Sequence, residues 1–577
     1  MLVLAVLLVA FNVNNGNTGS DSLGALLVSQ TILTERTIRL DNQYAKDPEQ
    51  FKRDYPYQVH RVGEHHYYSF PIGTSVFATP FVLVENALGR DMRDRASDAK
   101  AQVRITAVLC AFLALVLARI GRRFVPPPLA VAVSAVVVFG GPIISTLATA
   151  LWSSCFAAVF IALVLREVVR AERVEGARIR PWWMGSLLFA AYLCRPTTAV
   201  FAVAAWAWAV WTDRRAAAWT AVWVAGWLAL FCTLCFLEIG QPLPDYYSPG
   251  RLDGAWSSVS LAGVLISPSR GLLVYCPYVL LAVGIAAHGG TRRISALVGG
   301  WLLLHVLVVS RFPVWWGGAC FGPRLFAEVF PGVAVLCFVG AEAVLKYPRR
   351  LARIGAAVAF LVLGIFSIHV HTWKATLDRE TRLWNYEIPT EHRIEYLFDW
   401  KYPQFAYTEE MHKRRLGDYA LRALPALLPP LRLSPAEPTA IFSEWYGLER
   451  GTTRWSKERG SEIIFRLGEL DPDVAEYALA LEGVAHGRQR VRIRVNGRRT
   501  SHQVHLNKEP VPVTRVPTRF LKPGELNVVR FRCPDARRAG PTDDRIIGIE
   551  IQGLTLRPAG AHQPWRTHTG EGAPDGQ

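Results

Sequence analysis

The chain has 577 residues, 51% of them hydrophobic, and a formal net charge of +17. Its mean hydropathy of +0.19 is too high for an ordinary soluble protein and too low for a chain that is bilayer throughout, so a membrane part and a soluble part are expected. Much of the excess Arg lies in short loops between apolar runs, where anionic lipid and the positive-inside rule account for it; membrane lipid is therefore an expected partner and nucleic acid is not.

The opening run "MLVLAVLLVAF" is apolar but short, lacks a basic flank, and reads as a first membrane helix rather than a signal peptide. Further spans are expected at 103–120, 128–148, 151–168, 182–195, 196–211, 216–237, 272–289, 294–310, 324–345 and 353–371, which makes about 11–12 transmembrane helices with the ambiguous stretch 70–88. From Phe124 to Leu165 there is no charged residue, enough for two spans of about 20 residues each. The basic loops "GRRF", "REVVRAERVEGARIR", "DRR", "TRR" and "KYPRRLAR", placed in the cytoplasm, put Asp21, the 238–271 and 311–323 loops and the C-terminal part outside.

After residue 371 the apolar runs stop. Residues 372–437 read as a juxtamembrane segment, rich in Trp, Tyr and charge, with a Pro-rich linker at 424–438. Short alternating runs follow. In "QRVRIRVNG", Val491, Ile493 and Val495 alternate with Arg492 and Arg494, with turns at Asn496-Gly497 and Pro523-Gly524. Residues 438–558 are expected to form an all-β sandwich of jelly-roll type, and 559–577 a disordered tail. Of nine cysteines only Cys533 lies in this part, so it holds no internal disulfide. No His/Cys spacing for a metal appears, and Cys232/Cys235 read as helix packing. His65 and His66 are adjacent on an extended run, where neighbouring side chains face opposite ways, which argues against joint ligation of one ion but leaves His60 with His65 open.

Every unusual polar cluster in the membrane part falls on the outer side. These are Asp21 in "GSDSLGALL", "HRVGEHHYYSFPIGTSVFATP" (60–80), "CRPTT" (194–198), "GQPLPDYYSPGR" with "SPSRGLLVYCP", and "SRFPVWWGGACFGPRL" (310–325). Charges at a membrane face are costly unless paired or wet, so these clusters mark a polar cavity. The bland readings are a helix cap for Asp21, interfacial snorkelling for Arg195, Arg270, Arg311 and Arg324, the membrane aromatic belt for Trp315 and Trp316, and packing for Tyr246, Tyr247 and Tyr275. Trp445 and Trp455 read mainly as core.

In order, "GSDSLGALLVSQ", "YYSFPIGTSVFATPF", "CRPTTAVFA", "ISPSRGLLVYCP" and "WWGGACFGPRLF" resemble the GT-C fold lipid-linked-sugar glycosyltransferases, a superfamily that includes the protein mannosyltransferases and aminoarabinose transferases. The set looks most like a bacterial branch ending in an exoplasmic β-sandwich, and the resemblance runs to about Pro558. Two departures stand out: the usual Asp-Glu pair reads Asp21-Ser22, and the double Pro reads Pro71-Ile72. The resemblance implies a polytopic α-helical enzyme of the cell membrane, its C-terminal domain outside the cytoplasm, that moves a sugar from a polyprenyl-phosphate donor to an acceptor hydroxyl on a glycan, lipid or protein. It implies Asp21 as the base, with inversion at the anomeric carbon. Arg270, Arg324, Arg195 and Arg311 would hold the donor phosphate. Tyr67, Tyr68, Tyr247, Tyr275, Trp315 and Trp316 would line the substrate cavity. No cofactor or metal ligand set is implied, and a divalent cation stays open. Two other readings stand beside this one: a transporter or flippase of a lipid-linked glycan, and a silent membrane scaffold whose sandwich binds glycan.

Overall fold

The computed structural model describes residues 1–13, 16–248, 250, 254, 256–287, 291–378, 381, 383–385, 388, 394–445, 453–457, 460–506, 514–539 and 545–559. Contacts divide the chain into two compact units, Met1–Asn385 with Pro389–Thr408, and Tyr386–Ile388 with Glu409–Gln577.

The first unit is helical. Its helices are α1 Leu2–Asn12, α2 Ala25–Glu35, α3 Asp41–Lys46, α4 Pro48–Asp54, α5 Gly73–Ala87, α6 Arg95–Gly121, α7 Pro127–Phe139, α8 Ser153–Arg173, α9 Pro181–Cys194, α10 Ala199–Thr212, α11 Arg214–Ile239, α12 Ser258–Ile266, α13 Leu272–Tyr275, α14 Tyr278–Ala286, α15 Arg292–Ser310, α16 Phe330–Lys346 and α17 Arg350–Ile368. A hairpin of β1 Val59–Val62 and β2 His65–Tyr68 stands between α4 and α5. Side-chain caps set several helix starts: Asp94 accepts from the Ser97 amide, Asp213 from the Arg215 and Ala216 amides, and Ser257 closes a capping box with Ser260. Gly240, at φ +75°, ends α11 as only a residue without Cβ does cheaply.

Among the described residues, five stretches are long and apolar enough to cross a membrane: Arg95–Gly121, Arg214–Ile239, Arg292–Ser310, Arg324–Lys346 and Arg350–Lys374. Most of the other expected spans prove shorter or broken. Residues 70–88 form a 15-residue helix with Pro80 inside it. The span expected at 128–148 is a 13-residue helix followed by a π-turn, Ile143–Leu147, and 182–195 and 196–211 give helices of 14 residues each. The span at 272–289 breaks between α13 and α14 at Cys276-Pro277, because a proline lacks the amide that would continue the ladder.

The apolar content of α11 and α17 is mostly turned outward. Only 17% and 11% of their most apolar stretches are buried. Trp219, Val222, Trp223 and Phe236 on α11, and Leu351, Val358, Leu361 and Ile365 on α17, are exposed. Continuous apolar faces of this length are covered by lipid in a multi-pass membrane protein.

The second unit opens on the helix Glu409–Ala423 and continues as strands. One sheet has the order β10 (Arg498–Leu506), β9 (Gln489–Val495), β12 (Leu526–Arg532), β7 (Gly460–Leu467), β3 (Ala426–Leu427), with β5 (Ile441–Ser443) also on β7. The other runs β11 (Thr514–Pro517), β8 (Glu476–Ala485), β15 (Ile549–Pro558), β4 (Leu431–Leu433), with β6 (Arg454–Trp455) on β15. Inward residues of both sheets, among them Phe465, Tyr477, Leu481, Ile493, Phe531 and Ile551, form one core. The β9–β10 turn is Asn496-Gly497, both at positive φ (50° and 80°), the two-residue hairpin geometry this dipeptide favours. The run expected as a linker is partly sheet: β3 pairs with β7 and β4 with β15. The tail expected to be disordered lies, from residue 560, outside the described residues.

Candidate functional site: an acid, two arginines and an apolar cavity

Asp21 follows a short 3-10 turn, Gly16–Gly19, and precedes α2. Its Oδ2 accepts from Arg324 Nη2 at 2.5 Å. The Asp21 Oδ1 is 3.5 Å from both Ser20 Oγ and the Tyr57 hydroxyl. The Tyr68 hydroxyl donates to the Asp21 carbonyl. Burial pushes the Tyr68 phenol well above its ordinary range, and the nearby Asp21 charge adds to this, so Tyr68 stays a neutral donor that fixes the loop.

Arg324 opens the turn Arg324–Val329 that leads into α16. Its guanidinium lies 3.8 Å from the Trp152 ring, and its Nη1 donates to the Gly317 carbonyl at 3.3 Å. Stacking plus one ion pair leaves its remaining N–H groups without a described protein acceptor. Four residues on, Glu328 is 1% exposed and accepts from Arg195 Nε at 2.5 Å and from Thr197 Oγ1 at 3.1 Å. Arg195 Nη1 reaches Ser153 Oγ at 3.2 Å, and no described residue accepts from its Nη2. Asp21 is close enough for its charge to act on Arg195. Trp152 and Ser153 begin α8, so both guanidiniums gather at the positive end of a 21-residue helix.

The two loops that build this corner are tied together. Gln102, fully buried on α6, donates from Nε2 to the Thr18 carbonyl at 3.1 Å, and its Oε1 accepts from the Leu151 amide at 3.1 Å. Thr149 Oγ1 accepts from Asn17 Nδ2 and Trp152 Nε1, at 3.2 and 3.1 Å. The acid's loop and the loop under Arg324 are thus held in one network.

A cavity of about 740 Å³ adjoins the hairpin. Its walls are largely apolar: Phe70, Phe189, Leu193, Phe231, Leu234 and Cys235, with Tyr67, Tyr68, Tyr246 and Tyr247 among the polar groups. Tyr68 belongs to both the cavity wall and the Asp21 loop. A charged string meets the cavity at Tyr67 and Glu238. Asp41 Oδ2 is 2.7 Å from His65 Nδ1, Arg39 Nη1 is 3.0 Å from His65 Nε2, Arg39 Nε is 2.6 Å from Glu238 Oε1, and the Tyr67 hydroxyl reaches the Glu238 carbonyl at 3.1 Å. Burial works to raise the Asp41 carboxyl, but bonds from His66 and His65 more than offset it and hold it below the ordinary range.

The sequence-expected residues therefore divide. Asp21, Arg324 and Arg195 come together, and Tyr67, Tyr68 and Tyr247 line the cavity. Arg270 does not join them. It is 2% exposed, and all five of its N–H groups are used: on the Trp316, Ser269 and Gly318 carbonyls, on Gln404 Oε1 and on Asn385 Oδ1. No donor remains for a phosphate, so Arg270 braces the turn on which Arg324 rests. Arg311 points elsewhere, with Nε on the Gly254 carbonyl and its guanidinium over Trp256. Tyr275 is buried and bonded to the Pro268 carbonyl. Trp315 and Trp316 are buried, with Trp315 packed on the bare backbone of Gly263. Neither they nor Tyr275 line the cavity.

His65 and His66 depart from the alternating expectation, since both Nδ1 atoms meet the Asp41 carboxylate, at 2.7 and 3.2 Å. Among the described residues no group of three His, Cys, Asp or Glu is arranged to hold a metal. The sequence reading missed Trp152, Glu328 and Gln102. Glu328, an acid four residues after Arg324 in an apolar run, carried a readable signal; Trp152 and Gln102 carried none.

No family model matches the chain, and no curated protein does. Among solved structures, it aligns with the arabinosyltransferase EmbB from Mycobacterium smegmatis over 96% of this chain, at 11% identity and a TM-score of 0.34. The chain spans 64% of that protein's length. A family 35 carbohydrate-binding module from Clostridium thermocellum aligns with 22% of this chain and 99% of its own, at 15% identity and a TM-score of 0.17. Neither likeness is close enough to lend this chain its chemistry.

Proposed function

We propose that the chain is an integral-membrane glycosyltransferase that moves a sugar from a polyprenyl-phosphate donor to an acceptor hydroxyl at the outer face of the membrane. The observation that carries this reading is the Asp21–Arg324 pair at 2.5 Å, with Arg195 beside it and an apolar cavity sharing its Tyr68 wall.

The donor's phosphate is the natural competitor for Arg324. As it binds between Arg324 and the free Nη2 of Arg195, Arg324 turns from Asp21 to a phosphate oxygen, and the carboxylate is released for proton transfer. Asp21 then accepts the proton of the acceptor hydroxyl as that oxygen bonds to the anomeric carbon. The bond from that carbon to the phosphate oxygen breaks on the opposite side, its electron pair leaves with the lipid phosphate, and configuration inverts. The growing charge on the phosphate is met by two guanidiniums and the α8 N-terminus, which stabilise the transition state more than the ground state. The head-proximal part of the prenyl chain occupies the cavity beside α11, whose far side faces lipid.

The decisive measurement is donor turnover by Asp21→Asn at matched membrane abundance. Loss of about 10²–10⁴-fold is expected for removal of a general base; unchanged turnover overturns the proposal.

A further inference from the structure

The two outward faces of the sandwich differ in charge. On the β11-β8-β15-β4 sheet, outward arginines have acids beside them: Arg432 with Glu482 at 2.6 Å, and Arg515 with Glu476 at 3.6 Å. On the other sheet the pattern reverses. Arg490, Arg492 and Arg494 project outward from β9, Arg530 and Arg532 from β12, and Arg499 from β10, all exposed. The register sets Arg494 directly across from both Arg499 and Arg530, and Arg492 across from Arg532. Among the described residues, two carboxylates answer these six cations, Glu462 on Arg530 and Asp535 on Arg490. The side chains of Arg492, Arg494, Arg499 and Arg532 have no ion pair or hydrogen bond to a described residue.

Like charges directly opposite on neighbouring strands destabilise a sheet, so this face carries a cost that the opposite face avoids. An anionic partner would remove it. The outward residues of β7, β9 and β12 include no Trp, Tyr or Phe, so these three strands offer no platform for stacking sugar rings or bases. Recognition here is by charge and by guanidinium forks, which suit phosphate oxygens. The unit is also tethered: the chain passes from Thr408, the end of the unit with membrane-length helices, directly into Glu409. A basic surface that cannot leave the neighbourhood of a bilayer has one anionic surface always within reach.

We propose that the arginine face of β9, β10 and β12 docks on anionic phospholipid headgroups. The inference stands independently of the catalytic reading. It is tested on the full chain in lipid nanodiscs by phenylglyoxal labelling of individual arginines. Labelling of Arg492, Arg494 and Arg532 is expected to fall about fivefold in discs containing anionic phospholipid relative to zwitterionic discs, as an attraction of about 1 kcal/mol per basic residue gives. It should recover at about 1 M salt, where charge is screened within about 3 Å. Arg432 and Arg515, on the other sheet, should not change. Equal labelling in the two kinds of disc overturns the proposal. So does protection that soluble alginate produces in zwitterionic discs while anionic discs give none, because the occupant is then an acidic polysaccharide.

Discussion

At the residue scale, the corner around Arg324 contains two kinds of guanidinium that one sequence cannot distinguish. Arg324 and Arg195 keep free N–H groups, whereas Arg270 has none. Arg324→Lys retains the charge but loses both the fork and the stack on Trp152. Donor turnover should fall by at least about tenfold with little change in melting temperature. Arg270→Met should do the reverse, lowering the melting temperature and membrane abundance, since it strips the support from the 316–318 turn. Arg195→Met leaves Glu328 buried without its cation, which costs about 3–5 kcal/mol and should show as a large drop in denaturant midpoint. In the second unit, Cys533 is fully buried, and burial pushes its thiol up to about 12, so it should resist maleimide until the sandwich unfolds.

At the element scale, hairpins carry much of the specific geometry. Asn496 sits at φ 50° and its side chain holds the Phe520 carbonyl, Asn527 Oδ1 and the Val528 amide. Asn496→Ala removes these bonds and places a Cβ residue in the left-handed region, which should cost about 2–4 kcal/mol by thermal unfolding. In the β1–β2 hairpin, His60 is half-buried with Nδ1 on Ser69 Oγ at 3.0 Å, and burial lowers its pKa from the ordinary 6.5. The folded state therefore binds this proton less readily than the unfolded chain. Its contribution is fully present above pH 6.5 and is lost as pH falls toward the lowered folded value. His60→Gln should flatten the dependence of unfolding midpoint on pH in that window; an unchanged slope would assign it to another group. Among helices, the length of the apolar runs announced α6, α11, α15, α16 and α17, but not where apolar runs break, because Pro277 and the π-turn at Ile143–Leu147 act locally on hydrogen bonding rather than on hydropathy.

At the scale of the whole molecule, the apolar faces of α11 and α17 suit a bilayer, and the distribution of basic loops predicts that the second unit lies outside the cytoplasm. With Lys522 exposed on the sandwich, Lys522→Cys should react with a membrane-impermeant maleimide on intact cells. Reaction only after lysis would place the second unit in the cytoplasm. The sequence alone determined the helical membrane part, from the length of its apolar runs, and the β-rich C-terminal part, from period-two alternation, and it named Asp21, Arg195 and Arg324. It did not separate them from Arg270 and Arg311, nor reveal Trp152, Glu328 and Gln102 as their partners. Tertiary structure decided that, because Asp21 and Arg324 are 303 positions apart. Whether a guanidinium has donors to spare depends on carbonyls brought in from distant segments, which no local pattern records.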